Sequence, residues 1–115
     1  MSDRVNLPSG GWIDVRDPRA VTERLRRPMK HAWSEFHQGM STNEALITYD
    51  NVVDLASMAL IEAWSFPTPL TAEGLLDLVG DDVDAIRAVV EPLMEKLLPN
   101  FAASGVKDPK AGSTE

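Results

Sequence analysis

Two histidines, a short aspartate cluster and a run of basic residues are the side chains of this chain best suited to chemistry. His31 and His37 stand six residues apart, which puts them on different faces of a helix. They cannot share a metal as an i,i+4 pair could. His31 and Glu35 do have i,i+4 spacing and read as a solvated surface pair. Asp81-Asp82-x-Asp84 has the carboxylates of a cation site but not the glycine and distal glutamate of a calcium loop. Carboxylates at a helix start also answer the helix dipole, and capping is the simpler reading. Ser9-Gly10-Gly11 fits a turn better than a phosphate loop, and no serine nucleophile elbow or zinc helix motif occurs. The remaining carboxylates are scattered, with no matched acid–base pair. With no cysteine, thiolate ligands and disulfides are excluded. The residues therefore predict no catalytic, cofactor or metal site.

Two other groups bear on recognition. Arg19, Arg26, Lys30 and His37 fall near one angle of a continuous helix, with Arg27 at its edge and Glu23 interrupting them. Such a patch can face the chain's own acidic half, an acidic partner or a nucleic acid. It lacks interleaved aromatics for single strands and a second recognition helix for a duplex. Met58, Ile61, Trp64 and Phe66 form the second group. They lie on or just after a helix whose apolar arc is wider than one core stripe. That leaves them as core, partner surface or self-association surface.

These residues need a helical frame. Val5-Asn6-Leu7 and Trp12-Ile13-Asp14-Val15 alternate around Pro8-Ser9-Gly10-Gly11, predicting a hairpin over about 5–16. Asp17-Pro18 reads as an N-cap with proline at the first helical position. Val21, Leu25, Met29, Ala32, Trp33 and Phe36 make one stripe, with a kink or break predicted at Pro28 that gives two shorter helices, the second ended by Gly39. Ser41 and Glu44 form a capping box for a long helix through Trp64, stopped by Pro67 and Pro69. Thr71 caps a short helix through Leu78 that buries Leu70, Leu75, Leu76 and Leu78 and ends at Gly80. Asp81 or Asp82 then caps a last helix with Val83, Ile86, Val89, Val90, Leu93, Met94, Leu97 and Leu98 inward, Asp84, Arg87, Glu91, Glu95 and Lys96 outward, and a bend at Pro92. The expected fold is all-α: a bundle of about four to five helices with a short N-terminal β-hairpin. Residues 1–101 form one domain and 102–115 a flexible tail.

Composition agrees with one folded domain, since 43% of the residues are hydrophobic. The net charge of −7 is uneven: residues 1–40 carry seven basic and five acidic side chains, residues 41–115 four and thirteen. This balance disfavours nucleic acid and anionic membranes outside the Arg16–Lys30 stretch. No apolar leader is expected at Met1-Ser2-Asp3-Arg4, and the longest apolar-rich stretch carries too many polar groups to span a membrane.

The order of these pieces resembles the small tail assembly chaperones of long-tailed bacteriophages, especially those of actinobacterial hosts. The matching residues are Leu7-Pro8-Ser9-Gly10 with Trp12, Val15-Arg16-Asp17-Pro18, and Val21-Thr22-Glu23-Arg24 through Arg26-Arg27-Pro28. Leu60-Ile61-Glu62-Ala63-Trp64-Ser65-Phe66, Leu75-Leu76-Asp77-Leu78, Asp84-Ala85-Ile86 leading into Pro92-Leu93, and Pro99-Asn100-Phe101 complete it. Order and spacing carry this resemblance. It implies a non-enzymatic protein of the host cytoplasm that binds the tape measure protein and keeps it soluble while tail tube subunits assemble around it. The tail tube protein and a frameshifted longer form of the chain are further partners so implied, and such a protein is not expected in the mature virion. Asp108-Pro109-Lys110 is compatible with a slippery codon heptamer.

The residues themselves supply the candidate contacts: Arg19, Arg26, Arg27 and Lys30 for client carboxylates, and Met58, Ile61, Trp64 and Phe66 for apolar client surface. A homo-oligomer is a further expectation, and membrane association is not expected. Two other readings stand beside the chaperone: a nucleic-acid-binding regulator using the basic 16–30 segment, and a structural head–tail connector component.

Overall fold

The computed structural model describes residues 2–98. The expected tail and Pro99-Asn100-Phe101 lie outside the described residues. The fold is mostly helical with a small sheet against it. Strands β1 (Ser2–Asn6) and β2 (Trp12–Arg16) form the expected hairpin, and α1 (Glu23–Trp33) and α2 (Thr42–Leu60) follow. Strand β3 (Ile61–Trp64), the single turn α3 (Ala72–Leu75) and α4 (Gly80–Leu97) complete the order.

The hairpin turns at Gly10, whose φ of 98° suits a residue without a Cβ. Leu7 and Gly11 close the loop with an amide-to-carbonyl bond of 2.8 Å. Arg4 faces Asp14 across the strands, donates to both of its carboxylate oxygens at 2.8 and 3.1 Å, and stacks over Trp12.

The long helix begins as expected. The Ser41 hydroxyl accepts from the Glu44 amide, and the Glu44 carboxylate accepts from the Ser41 amide. It ends four residues earlier than the sequence pattern suggests, and the expected hairpin becomes a sheet of order β1-β2-β3. Ile61 turns extended (ψ 119°), and residues 61–64 pair antiparallel with β2, Trp64 opposite Ile13 and Ile61 opposite Val15. A bulge between Asp14 and Val15 accommodates Glu62. The physical reason is an unfilled edge: β2 offers backbone partners that another helical turn would leave bare. The Arg16 guanidinium also donates to the Ala59 carbonyl at 2.7 Å, placing a cation at the negative end of α2.

Helix α2 is central. Val52, Val53, Ala56, Ala59 and Leu60 are buried against Met29 and Ala32 of α1, Ile86, Val90, Met94 and Leu97 of α4, and Ile13 and Val15 of β2. Its wide apolar arc is thus largely answered inside the molecule. Ser57, buried on the same helix, donates to the Val53 carbonyl one turn back.

Three further expectations change. Asp17 and Pro18 open only a 3-10 turn, Pro18–Ala20, and α1 starts after Thr22. Pro28 does not break α1; α4 runs on through Pro92, as its stripe predicts. Each proline frees the carbonyl four residues back, and Arg24 with Pro28, like Ala88 with Pro92, lies on an exposed face where water replaces the lost donor. Gly80 opens α4 instead of closing α3, with Val79 as N-cap. Asp82 is therefore inside the helix and buried.

Candidate protein-binding surfaces

The basic patch is built around Glu23, the one acidic residue within it. In the first turn of α1, the Glu23 carboxylate accepts from Arg26 at 2.6 and 3.0 Å, from Lys30 at 3.0 Å and from Arg27 at 3.3 Å. The hydrogen bonds of Arg26, Lys30 and Arg27 hold its pKa down to about 2. Arg26 also reaches the Leu97 carbonyl at the end of α4, at 3.5 Å. Arg19 stands apart, paired with Asp17 beside the 3-10 turn. Arg26, Arg27 and Lys30 are brought together, and Arg19 does not join them. Arg24, which the stripe did not select, lines an open groove of about 600 Å³ with Arg27, Pro28, His31 and Glu23.

His31 and Glu35 form no hydrogen bond or ion pair with each other, and Nδ1 of His37 accepts from the Gly39 amide beyond the end of α1.

The apolar candidates separate by burial. Ile61 is 2% exposed, a core residue of β3 and not a surface contact. Met58, Trp64 and Phe66 are half-buried and lean on the core. Trp64 donates its indole N–H to the Thr68 carbonyl at 2.8 Å and meets Phe66 edge-on, with ring centroids 5.5 Å apart.

Among the described residues, the large aliphatic side chains most open to solvent lie elsewhere: Leu76 at 70%, Ile47 at 63% and Val79 at 58%. Leu76, expected inside, is the C-cap of α3, and Val79 is the N-cap of α4. This corner is set by Thr71, whose hydroxyl caps Gly74, and by the close approach of Gly74 to the Pro69 carbonyl. Leu75 turns inward, so Leu76, one residue on, turns out. Exposed Glu73, Asp77, Asp81 and Asp84 flank these residues along the chain, and no basic residue occurs between Leu70 and Ile86.

Two polar clusters escaped the sequence reading because their partners are far apart in the chain. Asp82, 1% exposed, accepts from the amide and hydroxyl of Ser9 at the hairpin turn. Arg87, expected on the solvent face, is largely buried between α2 and α4. It donates to Asp50 at 2.7 Å and lies 3.7 Å from Glu91. Burial opposes the charge on Arg87, but Asp50, Glu91 and Asp54 together outweigh it and raise its pKa. Burial also raises the Asp54 pKa; Arg87 opposes that shift and Asp50 adds to it.

Among the described residues, no helix is long and apolar enough to cross a membrane, and no group of three or more acidic or histidine side chains is arranged to hold a metal. No protein-family model matches the chain, and neither a curated protein nor a solved structure is significantly similar to it.

Proposed function

We propose that this chain is a non-enzymatic assembly chaperone of the phage-tail kind, binding the tape measure protein in the host cytoplasm and keeping it soluble during tail assembly. The observation that carries the reading is the exposed Leu76–Val79 corner in a stretch of chain that also exposes Glu73, Asp77, Asp81 and Asp84. Aliphatic side chains can cover an exposed stripe of a helical client. The negative charge of that stretch resists aggregation of the complex. Half-buried Met58, Trp64 and Phe66 are secondary contacts, methionine being able to repack against differing shapes. The resemblance in residue order supports the choice of client.

The nucleic-acid reading is weakened by the use of Arg26, Arg27 and Lys30 on Glu23, which leaves fewer free cations for phosphates. The connector reading would require the protein in purified particles.

Co-expression with a tape measure protein tests the proposal. The wild-type chain should raise the soluble fraction of that protein, and Leu76→Ser with Val79→Ser should abolish the gain while leaving the chaperone folded. Equal insolubility of the tape measure protein with and without the chain refutes the proposal.

A further inference from the structure

The two charged surfaces lie toward opposite ends of one helix. Arg26 ties the N-terminal turn of α1 to the last turn of α4 through the Leu97 carbonyl, whereas Leu76 and Val79 precede the first turn of α4. The 18 residues of α4 separate those ends by about 25 Å at ~1.5 Å per residue. The molecule's longest dimension is 40 Å, so the ends are far apart within it. Neither end is neutral. Glu23 cancels one of the charges on Arg24, Arg26, Arg27 and Lys30, leaving an excess of three positive charges. Glu73, Asp77, Asp81 and Asp84 make no ion pair among the described residues. Opposite charges this far apart do not pair inside one molecule, since the screening length at physiological salt is only ~8 Å.

We infer that the groove of Arg24, Arg27, Pro28 and His31 on α1 receives the Leu76–Val79 corner of a second copy of this chain. The occupant is chosen by complementarity. The groove sets Arg24 and Arg27, whose charge exceeds that of Glu23 in the same lining, beside the apolar ring of Pro28, and the corner exposes Leu76 and Val79 next in the chain to exposed Asp77 and Asp81. The contact joins two different surfaces, so it is head-to-tail: a pair of copies still has one free groove, on one copy, and one free corner, on the other. Such contacts build rings where the rotation closes and open chains where it does not. The corner is the surface assigned above to the client, so the two occupants compete for it; the association is tested with no client present.

The experiment is sedimentation velocity of the full chain over a wide concentration range. Wild-type protein should form species larger than a dimer as concentration rises. The association constant should fall about tenfold between ~0.05 and ~0.5 M salt, where the screening length drops from roughly 14 to roughly 4 Å. Arg24→Gln with Arg27→Gln should be monomeric alone, as should Asp77→Asn with Asp81→Asn. All four positions are exposed, and circular dichroism checks that both variants remain folded. Mixed together, the two variants should stop at a 1:1 dimer, because only one intact groove and one intact corner remain. A wild-type chain monomeric at every concentration overturns the inference. So does a closed dimer unaffected by the substitutions, or a polyglutamate peptide that fills the groove of a chain that stays monomeric.

Discussion

Ser9 and Asp82, 73 positions apart, are joined by two hydrogen bonds: the Ser9 amide donates at 3.0 Å and its hydroxyl at 2.5 Å to the two carboxylate oxygens. The pair fastens the hairpin turn to the first turn of α4. The first turn of a helix favours a negative charge, so the carboxylate is suited to its place on both counts.

Replacing Asp82 removes both bonds and leaves two donors at the turn. Hydrogen bonds to charged groups contribute about 1.5–3 kcal/mol each, and water recovers part of the loss at the exposed Ser9. Asp82→Ala should therefore destabilise the fold by about 2–3 kcal/mol in urea unfolding. Ser9→Ala, which keeps the amide bond, should cost less than half of that.

Glu23 makes a prediction about acid. Its folded pKa of about 2 lies below the ordinary 4.5. A lowered carboxylate pKa stabilises the fold above the unfolded value and loses that contribution as pH falls through the folded value. Stability should decline between pH 4.5 and about 2, and Glu23→Gln should flatten that part of the profile. Carbon-detected NMR titration of the Glu23 carboxyl should give a midpoint near 2.

Arg87 predicts the opposite slope. Asp54 has a raised pKa, so its contribution is greatest below the unfolded value and is lost as pH rises through the folded one. Removing Arg87 takes away the cation that restrains this shift. Arg87→Met should cost about 2 kcal/mol at neutral pH, less than for a fully buried pair because Asp50 is half exposed. The deficit should be smaller at acidic than at neutral pH, because the Asp54 carboxyl, whose pKa burial raises, then takes up its proton. Urea melts at the two pH values measure it.

Gly74 reverses a propensity rule. Alanine is preferred over glycine inside a helix by about 1 kcal/mol. At this position, however, a Cβ would run into the Pro69 carbonyl, which is backbone and cannot swing aside. Gly74→Ala should lower stability by about 2 kcal/mol or more and disturb the corner that turns Leu76 outward. A thermal melt and proteolysis within 69–80 would report both effects.

Local signals were legible in the sequence. The Ser41–Glu44 box, the Thr71 cap, the Gly10 turn and the inward stripe of α4 needed only neighbours three or four residues away. Long-range partners decided the rest. Ile61 and Trp64 continue a helical pattern as readily as they start a strand, and only the open edge of β2, some fifty positions earlier, selects the strand. Arg87 and Asp82 carry ordinary surface residue types, and their burial depends on Asp50 and Ser9. The basic stripe was visible, but bringing Lys30 onto Glu23 beside Arg26 and Arg27 required α1 to run unbroken through Pro28. Leu76 was expected inside with Leu75, but α3 is a single turn that sends Leu75 inward and Leu76 out.

The direct passage from Leu60 of α2 into Ile61 of β3 has a consequence for synthesis on the ribosome. A two-strand ribbon is marginal in water, and the middle strand acquires its second neighbour only when Trp64 has emerged. Until then the nascent first forty residues hold an unfinished ladder with one bare rim. Translation must deliver the whole of α2 before that rim is covered, so the earliest part of the chain to be made is among the last to become secure.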